Sequence, residues 1–148
     1  MPVVHKNLVD EEYGIIVHGV NAQGKFGAGF AKQLSQKYPH VMLDYLHKYR
    51  TAGLQLGDII TTHIWKDLYI VSGVTQQYYG RDPRVTYVSY PAVKAVFEKV
   101  NVLALELRLP VKFPLIGCGL ANGEWSVVRA IIKAALDPSI EGSLFISP

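Results

Sequence analysis

The sequence has one cysteine, Cys118, so no disulfide can form within the chain, which fits a reducing compartment. No apolar run approaches the roughly 20 residues that a membrane-spanning helix needs. The opening stretch MPVVHKNLVDEEYG carries acidic residues where a secretory leader keeps its apolar core. These absences lead to the expectation of a soluble, cytoplasmic protein with no membrane partner. Linkers, low-complexity tracts and internal repeats are missing too, so disorder is not expected. Neither a GxGxxG fingerprint nor a GxxxxGK[ST] loop occurs. His5, His40, His47 and His63 lack any spacing of the HExxH kind, and no paired carboxylates stand out. Neither a metal nor another cofactor is expected. There is also little excess of charge. Fifteen Lys and Arg against 12 Asp and Glu leave a net charge of +3. That draws anions weakly but does not point to nucleic acid as the partner.

What is present reads as one α/β domain. A chain of 148 residues can bury a real core, and residues 1–148 form a single unit. Strands are expected over Val3–Val9, Gly14–Val20, Ile59–Trp65, Leu68–Val74, Val111–Ile116 and Ser143–Ile146. Helices are expected over Phe30–Tyr38, over 40–50, after Ser89, and from about Gly123 with Asn122 as its cap. Val93, Val96, Phe97, Val100, Leu103, Ala104 and Leu107 recur at helical spacing, giving the clearest apolar face. The stretch Thr75–Thr86 is polar and irregular, and is expected to be loop. Strands alternating with amphipathic helices imply a mostly parallel or mixed sheet covered on both faces. Ligands of such sheets sit beyond the carboxyl ends of strands.

Two segments repeat one grammar of strand, glycines and helix. The first reads HGVNAQGKFGAGFAKQL, residues 18–34, and the second PLIGCGLANGEW, residues 114–125. Glycines permit positive φ and close approach of the chain to a ligand. Free amides at a helix start bind phosphate oxygens. One such loop is also explained as a tight structural connection. Two in one sheet could close on a diphosphate from both sides.

In His18, Asn21, Gly24, Gly27, Ala28, Gly29 and Ala31 the chain resembles macro domains. The same holds for Pro114, Ile116, Gly117, Cys118, Gly119, Leu120 and Trp125. The likeness points to the branch with ADP-ribose 1''-phosphate phosphatases and terminal ADP-ribose glutamyl hydrolases. It implies a three-layer α/β/α sandwich with a mixed, mostly parallel six-stranded sheet. It implies that Asn21, Gly24, Lys25, Phe26, Gly27, Ala28 and Gly29 hold the distal ribose and part of the diphosphate, with Asn21 facing the ribose. Gly117, Cys118, Gly119, Leu120 and Ala121 would wrap the diphosphate and distal phosphate. Two positions depart from the family pattern. Asn7 stands where many macro domains place an aspartate for the adenine amino group, and its side-chain carbonyl could still make that contact. Ala121 follows GCGL and no lysine accompanies Gln76 and Gln77, so the glutamyl-hydrolase chemistry is expected to be disabled.

The resemblance thus implies hydrolysis of ADP-ribose 1''-phosphate to ADP-ribose and phosphate. A non-catalytic ADP-ribose reader and an ADP-ribosyl hydrolase with altered residues are the alternatives. The partner is then the small molecule or an ADP-ribosylated protein. His18 is the first candidate to place or deprotonate water, since an ordinary imidazole titrates near neutrality. A histidine in a strand can equally be a buried structural one. Asn21 and Asp82 are further catalytic candidates. Asp82 and Arg81 could approach the distal phosphate, or belong to an exposed charged loop. Lys25 could attract the anion. Tyr78, Tyr79 and Tyr87 could pack on a base or ribose. Cys118 between two glycines reads as a small neutral loop residue rather than a nucleophile.

Overall fold

A computed structural model describes residues 1–148. Its strands are β1 (Val3–Val4), β2 (Gly14–Asn21), β3 (Ile59–Trp65), β4 (Leu68–Gln76), β5 (Val111–Phe113) and β6 (Gly142–Phe145). Its helices are α1 (Gly29–Lys37), α2 (Pro39–Thr51), α3 (Tyr90–Leu107) and α4 (Trp125–Ala135). The six strands form one sheet in the order β1-β6-β5-β2-β4-β3. Every neighbouring pair is parallel except β3 with β4. No helix is long and apolar enough to cross a membrane.

The side-chain alternation of β2 divides the core. Ile15 and Val17 point to the face covered by α3 and α4, where they meet Val93, Val96, Phe97 and Val100 of α3 and Val128 and Ile132 of α4. Ile16 and Val20 point to the opposite face, which α1 and α2 cover with Leu34, Val41 and Tyr45. Both faces are therefore buried, which is why β2 reads as a nearly unbroken apolar run. Each fully buried side chain of the Phe97 or Ile16 kind contributes about 1.5–3 kcal/mol. The helix α3 starts as expected, with Ser89 Oγ accepting from Ala92 N at 3.3 Å and Pro91 in the first turn.

Several expected boundaries move. The first strand stops at Val4, because Leu8 is drawn into the core beneath α1 and the chain makes a 3-10 turn over Leu8–Asp10. Strand β5 ends at Phe113. Pro114 has no N–H to continue the ladder, and the next residues turn, with Ile116 N donating to Pro114 O and Cys118 N to Leu115 O. The fourth strand runs on through Thr75 and Gln76, where loop was expected. Helix α4 begins at Trp125 with Glu124 in the cap position. Asn122 is not its cap but a left-handed residue at φ 60°.

Candidate functional site

The carboxyl ends of β2, β4, β5 and β6 open on one cleft of about 800 Å³, within the size of small-ligand sites. The chain passes from β2 to β3 on one side of β2 and from β4 across to β5 on the other, and such a reversal of direction is where parallel sheets open a crevice.

The first glycine loop forms one wall. Asn21 folds it: its Oδ1 accepts from Gln23 N at 3.0 Å and Lys25 N at 3.3 Å, and its Nδ2 donates to Lys25 O at 2.7 Å. The buried hydroxyl of Tyr45 adds a bond to Asn21 O and one to Oδ1 at 3.1 Å. Burial pushes the Tyr45 pKa up to about 12, so the hydroxyl stays a donor. The side chain of Asn21, expected to face a ribose, is thus largely spent on holding the loop. Beyond it, Gly27 (φ 144°) and Gly29 (φ 55°) have no atom within 4 Å of where a Cβ would stand. The amides of Gly27, Ala28, Gly29, Phe30 and Ala31 have no main-chain acceptor.

The second glycine loop forms the opposite wall. Gly117 (φ 74°) lies so close to Val88 that a Cβ would collide at 2.5 Å, while Gly119 has open space beside it. Gly123 N donates to Gly117 O at 2.7 Å and ties the turn. The amides of Gly119, Leu120 and Ala121 donate to no main-chain group. Cys118 Sγ lies 3.3 Å from Ile116 O, and burial pushes the thiol above its ordinary pKa. It is a packed thiol, not a thiolate.

His18 lies on the cleft floor and is only 2% exposed. Its Nε2 is 2.7 Å from Ser72 Oγ, and Phe26 and Phe30 meet its ring edge to face. Burial lowers its pKa to about 3, so the ring is neutral throughout the physiological range. That corrects the expectation of a base tuned near neutrality.

Of the other expected residues, Lys25, Phe26, Gly27, Ala28, Gly29, Gly117, Cys118, Gly119, Leu120 and Ala121 all line the cleft, as does Asn21. Three do not. Asn7 is exposed ahead of the 3-10 turn. Gly24 (φ 73°) is pressed against the Tyr49 ring and shapes the loop from behind. Asp82 is held by Arg84, which donates from Nε to Oδ1 and from a terminal nitrogen to Oδ2, both at 3.0 Å. This pair keeps the Asp82 carboxyl below the usual carboxylate range, and a carboxylate so engaged is a poor base. Sequence reasoning missed Phe30, Thr75 and the residues Phe145, Ile146 and Ser147. The last three follow the end of β6, and only the strand order reveals that this end adjoins the cleft. No Asp or Glu lines the cleft, and Lys25 and Arg81 are its two permanent charges. The environment therefore favours an anion.

No family model and no curated protein matches the sequence. Solved structures do match. A protein of unknown function from Bacteroides thetaiotaomicron is similar at a TM-score of 0.88 and 26% identity, with 98% of each chain covered. The macrodomain of Thermus aquaticus DarG is similar at a TM-score of 0.81 and 22% identity, covering 98% of this chain and 97% of that one. DarTG of Thermosipho africanus, solved in complex with ADP-ribose, is similar at a TM-score of 0.78 and 14% identity, covering 97% of this chain and 40% of that one. The chain has a macrodomain-like α/β fold, with the expected three layers and mixed six-stranded sheet.

Proposed function

We propose that the cleft binds an ADP-ribose-type ligand and grips its diphosphate with main-chain amides. The observation that carries this reading is the pair of facing loops, each lined by amides without partners, at 27–31 and at 119–121. Hydrogen bonds to a charged acceptor contribute about 1.5–3 kcal/mol each, and preformed amides need little reorganisation to make them. The dimensions support it as well. From β6 to β4 the cleft crosses three strand spacings of about 4.8 Å, or about 14 Å, which sets a base and a distal sugar at opposite ends with the diphosphate between them. Phe145 and Ile146 make the β6 end apolar and suit a flat base, while Gln76, Tyr79 and Arg81 make the β4 end polar and suit a sugar. A protein of the same fold is known with ADP-ribose bound.

Hydrolysis of ADP-ribose 1''-phosphate is the second reading. It is favoured by the amides of Gly119–Ala121 and by Arg81, which would neutralise charge on a transferring phosphoryl group. In this reading His18 stays neutral and no cleft carboxylate assists, so turnover is set by electrostatic stabilisation alone. Its rate between about pH 5 and about pH 8 then follows only the second ionisation of the substrate phosphate, at about pH 6. An ADP-ribosyl hydrolase would likewise have to work without a carboxylate in the cleft.

Calorimetry with ADP-ribose, run beside phosphate release from ADP-ribose 1''-phosphate, tests both. Binding without release assigns a reader. Release of phosphate assigns the phosphatase. If the protein binds neither compound, the proposed site is wrong.

A further inference from the structure

Strand β2 turns His18 to the face covered by α1 and α2, between Ile16 and Val20, and its parallel register sets it beside Ser72 of β4. Both side chains are buried. Each makes a single hydrogen bond, the one they share between His18 Nε2 and Ser72 Oγ at 2.7 Å. The direction of that bond decides where the imidazole keeps its proton. A neutral ring has one N–H and one bare nitrogen. With the proton on Nε2, the ring would donate to Ser72 and strand the serine hydroxyl hydrogen in the core without an acceptor. With Ser72 donating to a bare Nε2, both groups are satisfied and the proton sits on Nδ1.

Nδ1 itself has no partner within the protein. Only two side-chain polar atoms are sealed from solvent without a partner, Tyr38 Oη and Thr75 Oγ1, so Nδ1 opens on the cleft that His18 lines. Distances place it there. The ring centroid lies 5.8 Å from that of Phe26 and 6.0 Å from that of Phe30. These two residues bracket Gly27, Ala28 and Gly29, so the imidazole lies against the turn whose amides lack main-chain acceptors. Phe26 packs in turn on Tyr45 at 5.2 Å, the residue that holds Asn21. The ring is therefore fixed before any ligand arrives.

We infer that His18 is an uncharged hydrogen-bond donor to the ligand, presenting Nδ1–H to an anionic oxygen of the group gripped by the first glycine loop, with Ser72 as the positioning residue that sets its tautomer. The inference rests on the reading of the cleft as a diphosphate site. It also excludes a role. A protonated Nδ1 has no lone pair to offer, so it draws no proton from water on the cleft side. An imidazolium would be a stronger donor, but burial disfavours the charged form here. The neutral ring supplies a directed bond without that cost, and little order is lost in making it.

Long-range proton–nitrogen correlation spectra of the nitrogen-15-labelled protein read the tautomer directly, with and without ADP-ribose. The wild type is expected to carry the His18 proton on Nδ1 and a bare Nε2, and the Nδ1–H resonance to move downfield when ADP-ribose binds. Calorimetry with ADP-ribose then compares the wild type, His18→Phe and Ser72→Ala. Phenylalanine keeps a ring against Phe26 and Phe30 but removes the donor, and affinity should fall by about tenfold or more. Ser72 does not line the cleft. Its alanine variant should divide the proton between the two nitrogens and lower affinity in proportion to the share of Nδ1–H lost. A proton on Nε2 in the wild type would overturn the inference. So would an Nδ1–H resonance that ignores bound ADP-ribose, or a folded His18→Phe protein that binds as the wild type does. If His18→Phe does not fold, the wild-type spectra decide by themselves. Wild-type tautomer and affinity in Ser72→Ala would remove Ser72 from it. Failure of the wild type to bind ADP-ribose would remove the underlying reading instead, and the spectrum of the free protein would still report the tautomer.

Discussion

At His18 the imidazole is enclosed by the hydroxyl of Ser72 and the rings of Phe26 and Phe30. With the folded pKa near 3 and an unperturbed value of 6.5, the unfolded chain binds a proton that the folded one refuses. Stability is therefore complete above the unfolded value and is lost as pH falls from there towards the folded one. The slope is at most about 1.4 kcal/mol per pH unit. His18→Gln, whose amide can still reach Ser72, should remove this part of the acid sensitivity. Urea unfolding at about pH 7 and about pH 4.5 reads it as a smaller loss of stability than in the wild type. Tyr45 offers a second check. Tyr45→Phe removes the hydroxyl that holds Asn21, and should cost about 1–2 kcal/mol. Ligand affinity should fall with it, because the first loop loses its anchor. Unchanged affinity would show that Asn21 needs no support.

At the scale of the loops, the glycines separate into two kinds. Gly119 faces open cleft, whereas Gly24 and Gly117 are pressed on Tyr49 and Val88. Gly119→Val should leave the melting temperature nearly unchanged and abolish ADP-ribose binding, since the branched side chain fills ligand space. Gly24→Ala should do the reverse in kind. Its Cβ would meet the Tyr49 ring at 2.5 Å at a positive φ, and a loss of about 1–3 kcal/mol is expected. Thermal unfolding and calorimetry on the same two variants distinguish wall from scaffold. Gly29→Val also blocks the cleft, but φ 55° adds backbone strain, so it is the less clean probe.

At the scale of the molecule, the cleft joins the ends of four strands and the start of α1, so a ligand held there opposes global unfolding. ADP-ribose at about 100 times its dissociation constant should stabilise the fold by about 2.7 kcal/mol. For a domain of this size that is a rise in melting temperature of roughly 5–10 °C. Differential scanning calorimetry with and without the ligand measures it, and no rise at saturation would mean that the ligand does not engage the folded cleft.

Local chemistry was legible in the sequence. The spacing of Val93, Val96, Phe97 and Val100 marked the buried face of α3, and Ser89 its cap. Both glycine loops could be read as the segments that turn out to wall the cleft, because the need for positive φ and bare main chain leaves its signature in the residues that meet it. What depended on distant parts of the chain was decided only by the fold. Strand order brought Phe145 to the cleft and set His18 against Ser72, 54 residues away, turning an ordinary imidazole into a buried neutral one. Asn122, which reads as a helix cap, instead bonds to carbonyls 40 and 37 residues before it. Backbone preference is a property of neighbouring residues and is written locally. Burial, pKa and cross-chain bonds arise from which segments meet, and they come into being with the packing.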